Sequence, residues 1–182
     1  MKFSTALRQP TRRRLERLGE ADIVVGIPCF NNDSTLSHVI RTVEEGLHLN
    51  YPDKRCVVVV ADGGSVDDSR EAGDELEASP WIERIISIYR GLPGKGSAVR
   101  AIFEAANLLE AKVCLLFDSD LQSITPDWVK HMADAVLSDG VDFVAPYYTR
   151  YKYDGTITNN IVYNLTRALY GYRVRQPIGG DF

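Results

Sequence analysis

Three short, almost unbroken apolar runs constrain this chain more than anything else in it: Ile23-Val24-Val25-Gly26-Ile27, Cys56-Val57-Val58-Val59-Val60-Ala61 and Val113-Cys114-Leu115-Leu116-Phe117. A strand with one face in water alternates apolar with polar residues, whereas these runs must be covered on both faces, the condition of strands inside a parallel sheet flanked by helices. The segments between them carry helical spacing. Leu36, Val39, Ile40 and Val43 share one face of a helix that Asp33 or Ser34 would cap and that fades near Gly46, and Val99, Ile102, Phe103, Ala106 and Leu109 share a face of another. A helix through roughly Asp67 to Glu77 and a strand from Ile82 to Tyr89 stand between the second run and that helix. Thr125 and Pro126 start a further helix to about Ser138, and Val141-Asp142-Phe143-Val144-Ala145-Pro146 reads as a fifth strand. Strands alternating with helices of this length predict an α/β fold with a right-handed, mostly parallel sheet flanked by helices on both faces.

Open α/β sheets take their ligands outside the carboxyl ends of the strands. The predicted strands empty there into Pro28-Cys29-Phe30-Asn31-Asn32-Asp33, Asp62-Gly63-Gly64-Ser65-Val66-Asp67-Asp68, Gly91-Leu92-Pro93-Gly94-Lys95-Gly96-Ser97 and Asp118-Ser119-Asp120. Carboxylates one residue apart repel each other unless positive charge joins them. Hard oxygen donors select Mg²⁺ or Mn²⁺ over zinc, and Mg²⁺ is commonly held by one or two carboxylates together with substrate phosphates. Asp118 and Asp120 are therefore candidate metal ligands, and a phosphate-bearing substrate follows. The alternative reading makes Asp118 a turn cap and Asp120 a solvated side chain. Lys95 lies between two glycines, which let a ligand approach the backbone while the ammonium meets an oxygen; a solvated turn lysine is the alternative. No complete Gly-x-Gly-x-x-Gly or phosphate-loop pattern is present, which argues against a dinucleotide-dependent dehydrogenase and a P-loop kinase.

At 182 residues with 45% hydrophobic content the chain has the size of one domain. Its longest apolar run is far too short to cross a bilayer. Residues 1–21 form a basic N-terminal arm containing Lys2, Arg8, Arg12, Arg13, Arg14 and Arg17 but no apolar secretory segment. This predicts a cytoplasmic protein whose arm is a solvated helix or frayed leader, with peripheral contact at an anionic membrane surface as the alternative. The net charge of −4 argues against nucleic acid as the main substrate. Cys29, Cys56 and Cys114 are odd in number and lie in or beside apolar runs, so they read as buried free thiols.

After Pro146 the texture changes. Tyr147, Tyr148, Tyr151, Tyr153, Tyr163, Tyr170 and Tyr172 mingle with Arg150, Lys152, Arg167, Arg173 and Arg175. Such a mixture suits a site that stacks on a ring and pairs with an anion. Alternatively the tyrosines pack a helix, Ile157 to Tyr170, against the sheet edge. The chain stops at Gln176-Pro177-Ile178-Gly179-Gly180-Asp181-Phe182 with no closing element, so a C-terminal truncation is expected.

The ordered set Ile27-Pro28-Cys29-Phe30-Asn31, Val60-Ala61-Asp62-Gly63-Gly64-Ser65-Val66-Asp67, Gly94-Lys95-Gly96-Ser97-Ala98 and Phe117-Asp118-Ser119-Asp120 resembles the nucleotide-sugar-binding half of GT-A glycosyltransferases of the family 2 type. The resemblance covers residues 22–146. Pro146-Tyr147-Tyr148, Asp154 to Asn160 and Gln176 to Phe182 are similar to the glucosyl-3-phosphoglycerate and mannosylglycerate synthase branch, which would make residues 147–182 the start of an incomplete acceptor-binding half.

The resemblance implies a Rossmann-like GT-A fold and metal-dependent transfer, with Mg²⁺ or Mn²⁺, of a hexose from a nucleoside-diphosphate sugar to glycerate or 3-phosphoglycerate. Pro28, Phe30 and Asn31 would line the nucleobase and ribose pocket, and Asp62 would accept a hydrogen bond from base or ribose. Lys95 and Gly96 would lie near the donor diphosphate. Asp118 would face ribose or sugar hydroxyls, and Asp120 would hold the metal that activates the leaving group. In an inverting enzyme Asp181 would deprotonate the acceptor. The third metal ligand would lie beyond Phe182. The chain departs from the family pattern at Asn32, where Glu is frequent, and at Gly63, where a second Asp is frequent.

Other readings stay open: a family 2 transferase acting on polyprenyl phosphate or a polysaccharide, a sugar-phosphate nucleotidyltransferase, and a non-catalytic nucleotide-sugar-binding module. Nucleotidyltransferases tend to carry a Gly-rich, Arg-Lys loop after the first strand, where this chain has Pro28-Cys29-Phe30-Asn31-Asn32. The expected partners are the donor and either a small anionic acceptor or a lipid phosphate, with no nucleic acid. A homodimer is left open.

Overall fold

The computed structural model describes residues 5–77, 79–149, 151 and 153–182. Along the chain run α1 (Gln9–Leu18), β1 (Ile23–Cys29), α2 (Asp33–Asn50), β2 (Cys56–Asp62), α3 (Ser69–Asp74), β3 (Ile82–Ile88), α4 (Lys95–Leu108), β4 (Val113–Leu116) and α5 (Pro126–Leu137), then a π-helical turn (Thr158–Val162) leading into α6 (Tyr163–Tyr170). The strands form one parallel sheet in the order β3-β2-β1-β4. Cys29 stands opposite Asp62, and Asp62 opposite Ile88, so three strands end level with one another. β4 pairs Leu116 with Gly26, which carries Asp118 to the height of Pro28 on the neighbouring strand.

Successive side chains on these strands point to opposite faces, and both faces are covered. Val25, Ile27, Val58, Val60, Leu115 and Phe117 pack on α2 and α5. Val24, Val57, Val59, Ile85 and Leu116 pack on α4, with Leu15 of α1 in the same core. The approach of α4 is close: a Cβ on Gly26 would lie 2.2 Å from Cγ2 of Ile102. Cys29 and Cys56 are buried and Cys114 is half-buried, all three as free thiols.

Several elements differ from expectation. Val141–Pro146 is not a strand, and Phe143 is 60% exposed. The free edge of β4 is already paired, because Leu116 donates its N–H to the Phe182 carbonyl at 2.6 Å and accepts from the Phe182 N–H at 3.2 Å. The N-terminal arm is no frayed leader from Thr5 onward: Ala6, Leu7 and Leu15 are buried, the Ala6 N–H donates to Glu104 at 2.6 Å, and Arg14 reaches Glu83 on β3 at 2.8 Å. Lys2 lies outside the described residues.

The helix expected over Asp67 to Glu77 is only Ser69–Asp74. Asp67 instead stays ahead of it and accepts from the Ser69 N–H at 3.1 Å. Neither Asp33 nor Ser34 caps α2; Asn32 takes that place, without a side-chain cap bond. Phe103 faces outward on α4 and meets the Phe182 ring edge-on at 6.2 Å. The helix after Ile157 does not pack on the sheet edge, since it buries no residue and leaves Ile157, Ile161, Leu165 and Leu169 exposed. Among the described residues no helix is long and apolar enough to cross a membrane.

Candidate active site at the carboxyl edge of the sheet

The carboxyl ends of the four strands bring four loops together, and side-chain bonds to backbone hold them. Asn31 adopts a left-handed backbone (φ 51°), a conformation Asn tolerates better than most residues. Its N–H donates to the Ser65 hydroxyl at 2.8 Å, and its side-chain oxygen accepts from the Val66 N–H at 3.0 Å. The Asn32 N–H donates to the Ser69 hydroxyl at 2.7 Å, and its amide reaches the Ser119 hydroxyl at 3.0 Å. These bonds tie the β1 loop to the loops of β2 and β4.

Asp62 is fully buried. A buried carboxylate is costly unless its oxygens are satisfied. Here Oδ2 accepts from the Gly64 N–H at 2.9 Å, the Ser65 N–H lies 3.1 Å from it, the Ser65 hydroxyl bonds Oδ1, and Arg70 stands 3.8 Å away. Asp62 thus shapes the β2 loop and presents no oxygen to the cleft. Tyr89 plays a similar part after β3, since its hydroxyl accepts from the Gly94 N–H at 2.9 Å and donates to the Gly94 carbonyl at 3.2 Å. Gly91 (φ 130°) and Gly94 (φ 148°) turn that loop through backbone angles that residues with a Cβ resist.

Lys95 opens α4 and is ion-paired with Asp118, while its Nζ also donates to the Gly180 carbonyl at 3.3 Å. Asp120 is exposed and has no partner among the described residues. Asp181 is buried beneath these groups, accepting from the Asp118 N–H at 3.0 Å and from the Tyr148 hydroxyl at 2.6 Å. Burial pushes its carboxyl above the usual range, opposed by those two hydrogen bonds.

Two adjoining cavities result. One of about 340 Å³ is mainly apolar, lined by Pro28, Cys29, Phe30, Tyr89, Pro93, Gly94 and Ala98, with Lys95 and Asp118 as its charged lining residues. The other, of about 410 Å³, is polar and lined by Phe30, Asn31, Asn32, Lys95, Asp118, Ser119 and Asp120. They share Phe30, Lys95 and Asp118. An apolar slot that opens on a charged chamber can seat a flat ring beside an anionic chain.

Of the residues singled out in the sequence, Pro28, Phe30, Asn31, Lys95, Asp118 and Asp120 line this cleft. Gly96, Asp62 and Asp181 do not. Tyr89, Pro93 and Ala98 were missed; Tyr89 carried a signal, as the last residue of its strand run before a glycine loop. Arg150 and Lys152 lie outside the described residues, and Arg175 stacks on Tyr147 with its guanidinium carbon 5.6 Å from the ring centroid.

No group of three or more His, Cys, Asp or Glu suited to a metal occurs among the described residues. The donor set still fits a hard divalent ion that takes one or two carboxylates from the protein and its remaining ligands from phosphate. Asp120 is the uncommitted carboxylate and Asp118 stands beside it.

The model of glycosyl transferase family 2 matches residues 24–178. A curated relative, glycosyltransferase AglD of Haloferax volcanii, is 30% identical over 116 residues, which is 62% of this chain and 18% of the relative. Glucosyl-3-phosphoglycerate synthase from Mycobacterium tuberculosis has a similar structure. Its complex with Mn²⁺, uridine diphosphate and glucosyl-3-phosphoglycerate superposes with a TM-score of 0.67 at 24% identity, covering 99% of this chain and 63% of that one. Its complex with Mg²⁺ and uridine diphosphate gives 0.65 at 22% identity, covering 93% and 58%. The chain therefore spans less than two thirds of those structures and under a fifth of the curated relative.

Proposed function

The chain belongs to glycosyl transferase family 2, and from that premise we propose that it is the donor-binding part of a metal-dependent transferase. It would move a hexose from a nucleoside-diphosphate sugar to an anionic acceptor of the glycerate or phosphoglycerate type. The observation that carries the proposal is the paired cleft. Its apolar cavity between Phe30, Pro93 and Ala98 suits a nucleobase, and its polar cavity, lined by Asp118 and Asp120 with Lys95 on the border, suits the diphosphate. The neighbouring structures contain Mn²⁺ or Mg²⁺ together with uridine diphosphate, which supports this assignment.

Breaking the anomeric bond leaves negative charge on the departing diphosphate. Lys95, on the border of the two cavities, would meet that charge directly. A divalent ion held by Asp120, with Asp118 beside it, would supply further Lewis-acid stabilisation when bound. Arg175, already over Tyr147, and Arg173 supply guanidinium groups suited to a carboxylate or phosphate on the acceptor. A lipid phosphate offers the same phosphate chemistry, so acceptor assays require both classes.

The test is thermal stability against UDP-, GDP- and ADP-sugars, each with Mn²⁺, with Mg²⁺ and with chelator. A ligand at a hundred times its Kd adds about 2.7 kcal/mol to stability. Stabilisation is expected to be far larger with metal, and that metal-dependent part is lost in Asp120→Ala, whose unliganded stability stays unchanged because Asp120 is exposed and has no hydrogen-bond or ion-pair partner among the described residues. Stabilisation that is as large without metal and survives the substitution refutes the proposal. Hexose transfer to 3-phosphoglycerate as against polyprenyl phosphate then assigns the acceptor.

A further inference from the structure

We propose that Asp181 is a positioning residue, holding the Asp118-Ser119-Asp120 loop in its ligand-binding form by completing a sheet ladder with its side chain. The inference rests on the function proposed above and assigns Asp181 a task other than proton transfer to the acceptor.

The hydrogen-bond pattern at the end of β4 carries it. A strand directs alternate backbone groups to its two neighbours. The Phe117 N–H faces β1 and donates to the Gly26 carbonyl at 3.1 Å. Leu116 faces the other way and exchanges both its bonds with Phe182, at 2.6 and 3.2 Å. Asp118 also faces that way, beyond the last backbone partner, and a part-buried amide there needs an acceptor. The Asp181 carboxylate provides it at 3.0 Å, standing where the carbonyl of a longer neighbouring strand would stand. Its second oxygen is fixed by the Tyr148 hydroxyl at 2.6 Å, and the Tyr148 ring leans on Trp128 of α5 with centroids 5.1 Å apart.

The preceding residue adds a steric condition. A Cβ on Gly180 would fall 1.8 Å from Asp118 Oδ2 and 3.1 Å from Lys95 Nζ, so the backbone of this segment passes directly under the ion pair. Residues 180–182 thus seat both the amide and the side chain of Asp118, and through the chain the placement of Asp120. Asp181 is only 6% exposed and lines neither cavity, which suits a support and not a group that meets substrate.

The experiment measures binding of the wild-type chain's preferred nucleoside diphosphate, with Mn²⁺ and with chelator, to wild type, Asp181→Asn, Asp181→Ala and Tyr148→Phe. Asparagine keeps an oxygen for the Asp118 N–H, so Asp181→Asn stays within about threefold of wild type with Mn²⁺. Asp181→Ala loses about tenfold or more with Mn²⁺ while binding in chelator, governed by the apolar cavity, is unchanged. Tyr148→Phe loses a few-fold, again only with Mn²⁺, and serves if Asp181→Ala fails to fold. An Asp181→Asn defect as large as that of alanine overturns the inference, because charge and not positioning then matters. Equal losses with and without metal in Asp181→Ala, or no effect in Tyr148→Phe, overturn it as well. Wild type that binds no nucleotide more tightly with metal refutes the function proposed above, a result distinguishable from any variant-specific one.

Discussion

The two adjacent glycines near the end of the chain give the sharpest single prediction, because the structure treats them oppositely. At Gly180 a Cβ would lie 1.8 Å from Asp118 Oδ2, and Asp118 must withdraw by about 1.2 Å to reach even the 3.0 Å below which Cβ contacts are essentially never seen. At Gly179 the nearest atoms are 3.6 and 3.9 Å away, ordinary contact distances. Neither glycine has a left-handed backbone, so alanine is not excluded at either by conformation. In Gly180→Ala the displaced carboxylate leaves Lys95. That ion pair is 44% and 31% exposed at its two side chains and contributes at most about 1 kcal/mol. A strained Asp118 rotamer adds about 0.5–1.5 kcal/mol. The expected loss is about 1–2 kcal/mol, or a few degrees in Tm for a chain of this size. Metal-dependent nucleotide binding should fall further, by about tenfold, since the displaced group borders both cavities. Urea unfolding and calorimetric titration with UDP and Mn²⁺ measure the two effects, with Gly179→Ala as the control expected to match wild type in both. If the two alanine variants are indistinguishable, the close passage of residue 180 beneath Asp118 is wrong and the argument built on it fails.

Two further outcomes follow from the core and the surface. Gly26→Ala drives a methyl into Ile102 at 2.2 Å and should cost about 1–3 kcal/mol by urea unfolding, with part of the loss recovered in Gly26→Ala/Ile102→Val. Asp22 accepts from Lys112 at 2.7 Å and from the Arg55 N–H at 3.0 Å, and these bonds hold its carboxyl below the usual 3.8. A lowered folded value contributes stability above pH 3.8 that disappears as pH falls through the folded value, so Asp22→Asn should lower Tm at pH 7 and match wild type near pH 2; a Tm difference independent of pH would count against the assignment.

Much of this fold was legible because the strongest signal, apolar runs covered on both faces, depends only on local sequence. The runs at 23–27, 56–61 and 113–117 became β1, β2 and the β4 region, and the loops after them converged as parallel register requires. What failed depended on partners far along the chain. Val141–Pro146 has the composition of a strand, but the edge it would have used is paired with Phe182. The arm looked solvated because its arginines outnumber the apolar side chains that anchor it, and only the fold shows Leu15 reaching the α4 face. Asp181 looked free to meet a substrate because nothing local reveals that the Asp118 amide lacks a backbone partner.

The same accounting of polar groups explains why the cleft should demand a cation. At this edge most hydrogen-bonding capacity is consumed within the protein: Asp62 by Gly64 and Ser65, Asn31 by Ser65 and Val66, Asp181 by Asp118 and Tyr148. The charged groups left lining the polar cavity are Lys95, Asp118 and Asp120, a sum of −1. A diphosphate entering that chamber alone would meet net repulsion, strengthened wherever the cleft walls exclude water. One divalent ion entering with it reverses the sign to +1, and Asp120 is the carboxylate of this cavity that no group among the described residues already claims. The proposed metal requirement is therefore a consequence of how completely the surrounding loops have spent their own donors and acceptors on one another.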